Sequence, residues 1–245
     1  MKFLARLNTI HVAAIFLVTF LVFIVPLLIL IQKVKWHHLA LRLHYFWSRT
    51  FMVLAMIPVE IVWHYKPAKN FRFVLCSNHF SYFDIPLLAY LPFDFKFIGK
   101  SSIARVPVFG YMYRKLHVTV NRSSFKSRAN SMQRVREMVD HGFNIAFYPE
   151  GGIRSKEPPH MASFKEGAFR LAVEKQLPVL PVSLPDNYLF LPDENGFRVY
   201  RRRLRIVVHP PIFPRSTDER EIIELKNKTF EVIQSALLKE VAVKG

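Results

Sequence analysis

The sequence predicts an α/β fold, a mixed sheet flanked by helices, with an N-terminal membrane-anchoring helix or helix pair. Three observations predict it. Short apolar runs alternate with helical stretches after Trp63, the pattern of strands joined by crossover helices. From Leu7 to Gln32 there is no Asp, Glu, Lys or Arg. Hydrophobic residues make up 51% of 245 positions, enough for a sizeable core and too many for a disordered chain. Residues 1–66 read as anchor and interfacial helix, and residues 67–245 as one α/β domain without repeats or low-complexity linkers.

The run from Ile10 to Ile31 is almost wholly apolar. At about 1.5 Å per residue it is long enough to cross a hydrocarbon core of about 30 Å. It exceeds the roughly 7–15 residues of a signal-peptide core, and Ile31 to Trp36 offers no small-residue cleavage site, so a retained anchor is expected. His11 and Pro26 are compatible with such a helix. Leu39 to Trp63 carries apolar residues at helical spacing, with Arg42, His44 and Arg49 between them. That predicts an amphipathic helix on one leaflet, with Trp36, Tyr45, Trp47 and Trp63 at headgroup level. Lys33, Lys35, Arg42 and Arg49 follow the apolar run and outnumber Lys2 and Arg6 before it. The positive-inside rule therefore puts the C-terminal bulk on the cytoplasmic side. A re-entrant hairpin that never crosses fits the same residues.

Along the domain, Phe71 to Cys76 reads as a buried strand. Asp84 to Tyr90 reads as a helix with Asp84 near its N-cap and Pro86 in the permissive first turn. Phe93 to Ile98 and His117 to Val120 are strands around a Val106 to Lys115 helix. Ser127 to Asp140 is a helix stopped at Gly142, and Phe143 to Tyr148 a strand. Phe164 to Lys175 is helical, Leu177 to Leu184 a strand, and Gly196 to Val208 a pair of strands. The last helix is expected to open at a capping box, Ser216-Thr-Asp-Glu219, with Ile222, Leu225, Ile233 and Leu237 on its core stripe.

Lys and Arg number 35 against 18 Asp and Glu, a net charge of +17. Such a balance requires an anionic partner: nucleic acid, an anionic membrane surface or a phosphorylated substrate. Cys76 is the single cysteine; it excludes a disulfide scaffold and reads as core. His37, His38 and His44 lack a Cys or carboxylate cluster to complete a metal site and read as interfacial. Arg201-Arg-Arg-Leu-Arg205 resembles a nucleic-acid patch, but beside an apolar anchor it reads as a basic strand edge facing an anionic bilayer.

Chemistry is concentrated in Leu75-Cys-Ser-Asn-His-Phe-Ser-Tyr-Phe-Asp84. His79 and Asp84 fall in a strand-to-helix turn that brings imidazole and carboxylate together. A carboxylate on one ring nitrogen fixes the tautomer, so the other nitrogen can take a proton from a hydroxyl. On these residues alone, a His satisfying loop backbone beside a helix-capping Asp fits equally well.

Three further segments occur in order: Ile98-Gly-Lys100 leading to Val118-Thr-Val-Asn-Arg122, Phe147-Tyr-Pro-Glu-Gly-Gly-Ile-Arg-Ser155, and Leu177-Pro-Val-Leu-Pro-Val-Ser183. With Asn78-His79 and Asp84 they resemble the four ordered blocks of the glycerolipid acyltransferase family, which includes 1-acylglycerol-3-phosphate acyltransferases. The blocks cover about two fifths of the chain. The resemblance implies that His79 is the general base and Asp84 its orienting partner. It implies acceptor-binding positions at Lys100, Arg122, Glu150, Gly151, Gly152 and Arg154. Arg suits phosphate through bidentate donation, the glycines allow close approach and positive φ, and Glu150 is expected to hold an Arg or a glycerol hydroxyl. The family's Glu-Gly-Thr-Arg-Ser becomes Glu150-Gly-Gly-Ile-Arg-Ser155 here, with Arg one residue further on, so Lys156 and Arg122 compete with Arg154 for the phosphate.

The resemblance further implies direct attack of a lysophospholipid hydroxyl, most simply that of 1-acylglycerol 3-phosphate, on acyl-CoA or acyl-ACP. No metal, cofactor or covalent acyl-enzyme is needed for that. Membrane lipids are then the partners and nucleic acid is not, with the domain on the cytoplasmic face of a membrane such as a bacterial inner membrane. Three alternatives stay open: another lyso-acceptor such as a lyso-ornithine lipid, a non-catalytic basic membrane-surface binding protein, and a metal-dependent hydrolase using His79 and Asp84 as ligands.

Overall fold

A computed structural model describes residues 2–120, 125–193 and 197–242. It begins with helix α1, Lys2–Leu30, and helix α2, His37–Leu54, which pack on each other. The domain then runs β1 (Val59–Trp63), β2 (Val74–Ser77), α3 (Asp84–Leu88), β3 (Phe95–Lys100), α4 (Phe109–Leu116), β4 (Val118–Val120) and α5 (Phe125–Asp140). It continues with β5 (Asn144–Phe147), α6 (Gly167–Lys175), β6 (Val179–Ser183), α7 (Asn187–Phe190), β7 (Leu204–Val208) and α8 (Glu219–Ala242). Among the described residues the strands form one seven-stranded sheet in the order β1-β7-β6-β2-β5-β3-β4, parallel except where β6 meets β7. This is the mixed sheet flanked by helices that the sequence pattern predicts.

Alternation along the central strands sorts the core into two layers. Val74 and Cys76 of β2, with Ile145 and Phe147 of β5, face α5, α6 and α8. Leu75 and Ala146 face the opposite side, against Phe51 and Met52 of α2 and Leu87 and Leu88 of α3. Because both faces are covered, β2, β5 and β6 are apolar along their middles and carry their polar residues, Ser77, Asn144 and Ser183, only at their ends. Cys76 lies wholly inside, and burial pushes its thiol far above the usual range, in keeping with a packing role.

Several elements depart from the sequence pattern. The helix expected to reach Trp63 stops at Leu54: Met56 takes a positive φ of 54°, and Pro58 has no N–H to continue the ladder. The β-branched Val59, Ile61 and Val62 then join the sheet edge, pairing in parallel with Leu204 to Val208. The expected strand pair ending at Val208 is one strand among the described residues. The last helix is capped by Asp218, whose Oδ1 accepts the N–H of Glu221 at 3.0 Å, and not by Ser216. Of the basic run, Arg205 forks onto Asp186 at 2.8 and 2.9 Å, Arg203 pairs with Glu60 at 3.3 Å, and Arg201 donates to Asn8 at 3.1 Å. That run therefore ties β7 to its neighbours inside the molecule and does not form a free basic edge.

The helix pair is fastened to the sheet by a buried polar chain. Lys96 of β3 is 1% exposed; its Nζ donates to His37 Nδ1 and to the Leu116 carbonyl, both at 2.7 Å, and lies 4.2 Å from the centre of the Phe143 ring. His37 Nε2 in turn donates to Ile31 O at 3.2 Å, so the end of α1, the start of α2, β3 and α4 share one network. Burial pushes the Lys96 ammonium down to about 7, and burial with Lys96 beside it pushes His37 down to about 4. Folded Lys96 thus binds fewer protons than unfolded Lys between pH 7 and 10.5, so its contribution to stability rises across that window. In urea unfolding at pH 7 and pH 9.5, the stability gap between wild type and Lys96→Met is expected to widen at the higher pH. A gap independent of pH would contradict this network.

Candidate active site

The loop that follows β2 is organised by one carboxylate. Asp84, the first residue of α3, is fully buried. Its Oδ2 accepts the N–H groups of Phe80 at 2.8 Å and Ser81 at 3.0 Å, together with His79 Nδ1 at 2.9 Å. Its Oδ1 accepts Asn187 Nδ2 at 2.7 Å. Four donors from two segments, residues 79–81 and Asn187, offset the desolvation of a buried charge. A carboxylate only accepts, so Nδ1 of His79 carries its hydrogen toward Asp84 and Nε2 is left as the acceptor. Nε2 has no partner among the described residues, and the His79 side chain is 13% exposed.

A second buried carboxylate braces the same loop. Glu150, at the end of the Phe147-Tyr-Pro-Glu segment after β5, accepts the His79 N–H through Oε1 at 2.8 Å and the Ala162 N–H through Oε2 at 2.9 Å. It clamps two backbones together; the expected Arg or glycerol hydroxyl is replaced by main-chain donors. Burial pushes its carboxyl up to about 7 against the pull of those donors. Tyr148 stacks on the His79 ring with centroids 4.0 Å apart and planes 16° off parallel. Its hydroxyl is held well above the usual phenol range, first by burial and then by Asp84 and Tyr113, and so stays a neutral donor. Asn78 bridges to the end of β6, donating to Leu184 O at 3.0 Å and accepting the Leu184 N–H at 2.8 Å.

The remaining predicted residues surround this centre less closely. Gly151 and Gly152 adopt positive φ, 79° and 144°, a conformation that L side chains resist. A Cβ on Gly151 would come within 3.0 Å of the Lys165 side chain. Lys100 ends β3 and Arg154 lies in the loop after the glycines; both are exposed. Arg122 lies outside the described residues. His79, Asp84 and Glu150 are therefore bonded together, whereas Lys100 and Arg154 have no recorded bond to them. Motif reading missed Tyr148 and Asn187. Tyr148 stands directly before Pro149 in a block already singled out; Asn187 is 103 positions from Asp84 and gives no local signal.

An apolar cavity of about 430 Å³ adjoins this loop. Tyr82 and Phe83, between His79 and Asp84, form part of its wall. Phe16 and Phe20 of α1, Trp47 and Phe51 of α2, and Phe109 of α4 form much of the rest. His79 follows the carboxyl end of β2, where open α/β sheets bind ligands, and the cavity shares Tyr82 and Phe83 with its loop.

Residues 62–185, half of the chain, match the family model described as Acyltransferase. The chain belongs to the acyltransferase family. Among its relatives, a chloroplastic 1-acyl-sn-glycerol-3-phosphate acyltransferase of Brassica napus is 31% identical over 153 residues, 62% of this chain and 44% of that protein. One from Chlamydomonas reinhardtii is 34% identical over 142 residues, 58% of this chain and 42% of that protein. The chain thus spans less than half the length of these acyltransferases. The crystal structure of the 1-acyl-sn-glycerophosphate acyltransferase from Thermotoga maritima superposes with a TM-score of 0.76, covering 98% of this chain and 96% of that one at 22% identity. That likeness establishes the shared fold.

The clamp gives a direct expectation. Glu150→Gln replaces one acceptor oxygen with an amide donor and leaves the N–H of either His79 or Ala162 without a partner. Urea unfolding should show a loss of about 1–3 kcal/mol, and the rate of the acyl transfer proposed below should fall at least roughly tenfold as the His79 ring loses its position. Wild-type stability and rate in this variant would remove Glu150 from the site's framework.

Proposed function

We propose that the protein transfers a fatty acyl group from an acyl thioester, acyl-CoA or acyl carrier protein, to the free hydroxyl of 1-acylglycerol 3-phosphate, yielding phosphatidic acid. The observation that carries this is the His79–Asp84 pair, with Nδ1 held at 2.9 Å and Nε2 left unpartnered beside an apolar cavity. Nε2 accepts the hydroxyl proton as the oxygen attacks the thioester carbonyl. The new C–O ester bond forms, the C–S bond breaks, and the proton passes from His79 to the departing thiolate. Asp84 holds the ring and stabilises the imidazolium. The thioester is already activated, so the step calls for no metal or cofactor from the protein.

The acyl chain is assigned to the 430 Å³ cavity, a volume within the usual range of small-molecule sites. The acceptor phosphate is assigned to Lys100 and Arg154, with Arg122 as the remaining cation of the family pattern. The glycine pair allows the backbone to approach the glycerol.

The protein works on a membrane in this reading, its domain on the cytoplasmic face. Helix α1 exposes Leu17, Leu21, Val22 and Val25, each more than half uncovered. Near its start Thr9 accepts the N–H of Val199 at 2.9 Å, and just past its end Gln32 accepts from Tyr111 at 3.2 Å. A helix held against one domain near both ends lies along a leaflet; crossing would carry one end away from the domain. The lipid-facing side would then bring acyl chains directly to the cavity.

In vesicles containing 1-acylglycerol 3-phosphate and a labelled acyl thioester, His79→Ala is expected to lower turnover roughly 10²–10⁴-fold while vesicle binding persists. Near-normal turnover by His79→Ala, or products lacking phosphatidic acid by mass, would defeat the proposal.

A further inference from the structure

A second concavity lies at the other end of the sheet. It is a cleft of about 450 Å³ between α2, the segment before β2, and the segments leading into β3 and β5. Its walls are the amino ends of those strands, whereas His79 follows the carboxyl end of β2. At about 3.3 Å per residue, the four residues of β2 alone keep the two sites roughly 13 Å apart.

Three cations line this cleft: Arg42 from α2, and Lys69 and Arg72 from the segment before β2. Arg72 is fixed in place, its Nη2 donating to the Val139 carbonyl at 2.7 Å. Arg42 and Lys69 are exposed and form no ion pair or hydrogen bond among the described residues. The one carboxylate in the wall, Asp94, is taken by His38 Nδ1 at 3.0 Å. Three cations therefore face one carboxylate, and the cleft keeps an excess of positive charge in a concavity that also has aromatic walls.

The outward face of α2 indicates where a counter-ion comes from. Leu39, Phe46 and Val53 are 49%, 57% and 71% exposed and stand seven residues apart, which returns them to one side of the helix. Arg42 and Arg49 interleave on the same side. Such a face sets apolar side chains among lipid tails and guanidinium groups at the phosphate level. Phe46 belongs both to this stripe and to the cleft wall, so the cleft opens where the lipid-facing side begins.

We infer that this cleft is a binding site for the phosphate headgroup of an anionic membrane phospholipid, held by Arg42, Lys69 and Arg72, with a tail lying along Phe46. The site is separate from the catalytic loop, and His79 takes no part in it. Its occupant fastens the base of α2 to the bilayer at a defined point, beyond the diffuse attraction of a basic surface.

The test is calorimetric titration of the full chain, in non-ionic detergent, with dihexanoyl phosphatidylglycerol. One saturable site is expected, with dihexanoyl phosphatidylcholine binding at least tenfold more weakly. The pair Arg42→Gln/Lys69→Gln should weaken phosphatidylglycerol binding roughly tenfold or more. Its melting temperature should not change, since both side chains are exposed and unpaired. Lys33→Gln/Lys35→Gln, which removes equal charge nearby, and His79→Ala should stay within about twofold of wild type. Equal losses in the two charge pairs would mean diffuse attraction and overturn the site. Displacement by inorganic phosphate at matching concentration would make it a free-anion site and overturn the lipid assignment. Loss of binding in His79→Ala would return the lipid to the catalytic loop.

Discussion

The rest of the site depends on the ionised oxygen pair of Asp84, buried where water cannot solvate it. A charge in that position is tolerated only when it is surrounded by donors, and the chain supplies them from three places: the loop backbone, His79 and Asn187. Meeting that demand folds residues 79–84 into a tight turn, starts α3 at Asp84 and docks α7 against the loop. Orientation of the imidazole is thus a by-product of electrostatic satisfaction. Glu150 repeats the device from the adjacent strand, so two buried carboxylates hold the same backbone from opposite sides. An imidazole mounted in this way is held in one orientation and needs little rearrangement to accept a proton.

The helix pair also walls the cavity beside the site. Phe16 of α1 packs edge-on against Trp47 and Phe51 of α2, Phe51 meets Phe83, and Phe83 meets Phe190 of α7. A continuous set of rings therefore runs from the apolar helix to the residue beside Asp84 and on to the element that carries Asn187. The cavity wall and the second contact layer of the site are the same side chains. The buried Lys96–His37 chain fixes the other end of the hairpin against β3 and α4, so the wall is anchored on both flanks.

The sheet, the order of most elements and the His79–Asp84 pairing were legible in the sequence because each rests on local rules: apolar alternation, a turn between strand and helix, and a short motif. What escaped was set by distant partners. Val59–Trp63 followed a helical pattern, and a positive φ at Met56 with pairing to β7 overrode it. Arg201 to Arg205 looked like a free basic edge, yet Asp186, Glu60 and Asn8 are brought to it only by the fold. Glu150 lay in a recognised motif, and its role still could not be read, because its donors are backbone groups of His79 and Ala162 that no side-chain pattern reveals.

The bonds near the start of α1 have a consequence for the order in which the molecule assembles. Thr9 and Asn8 find their partners at Val199 and Arg201, 190 and 193 residues later in the chain. At synthesis rates of about 5–20 residues per second, the first helix exists for roughly 10–40 s before the strand that receives it has been made. In the membrane reading proposed above, lipid covers its apolar surface through that interval, so the bilayer serves as a placeholder for the domain. Docking then exchanges one side of the helix from lipid to protein and leaves the other where it was.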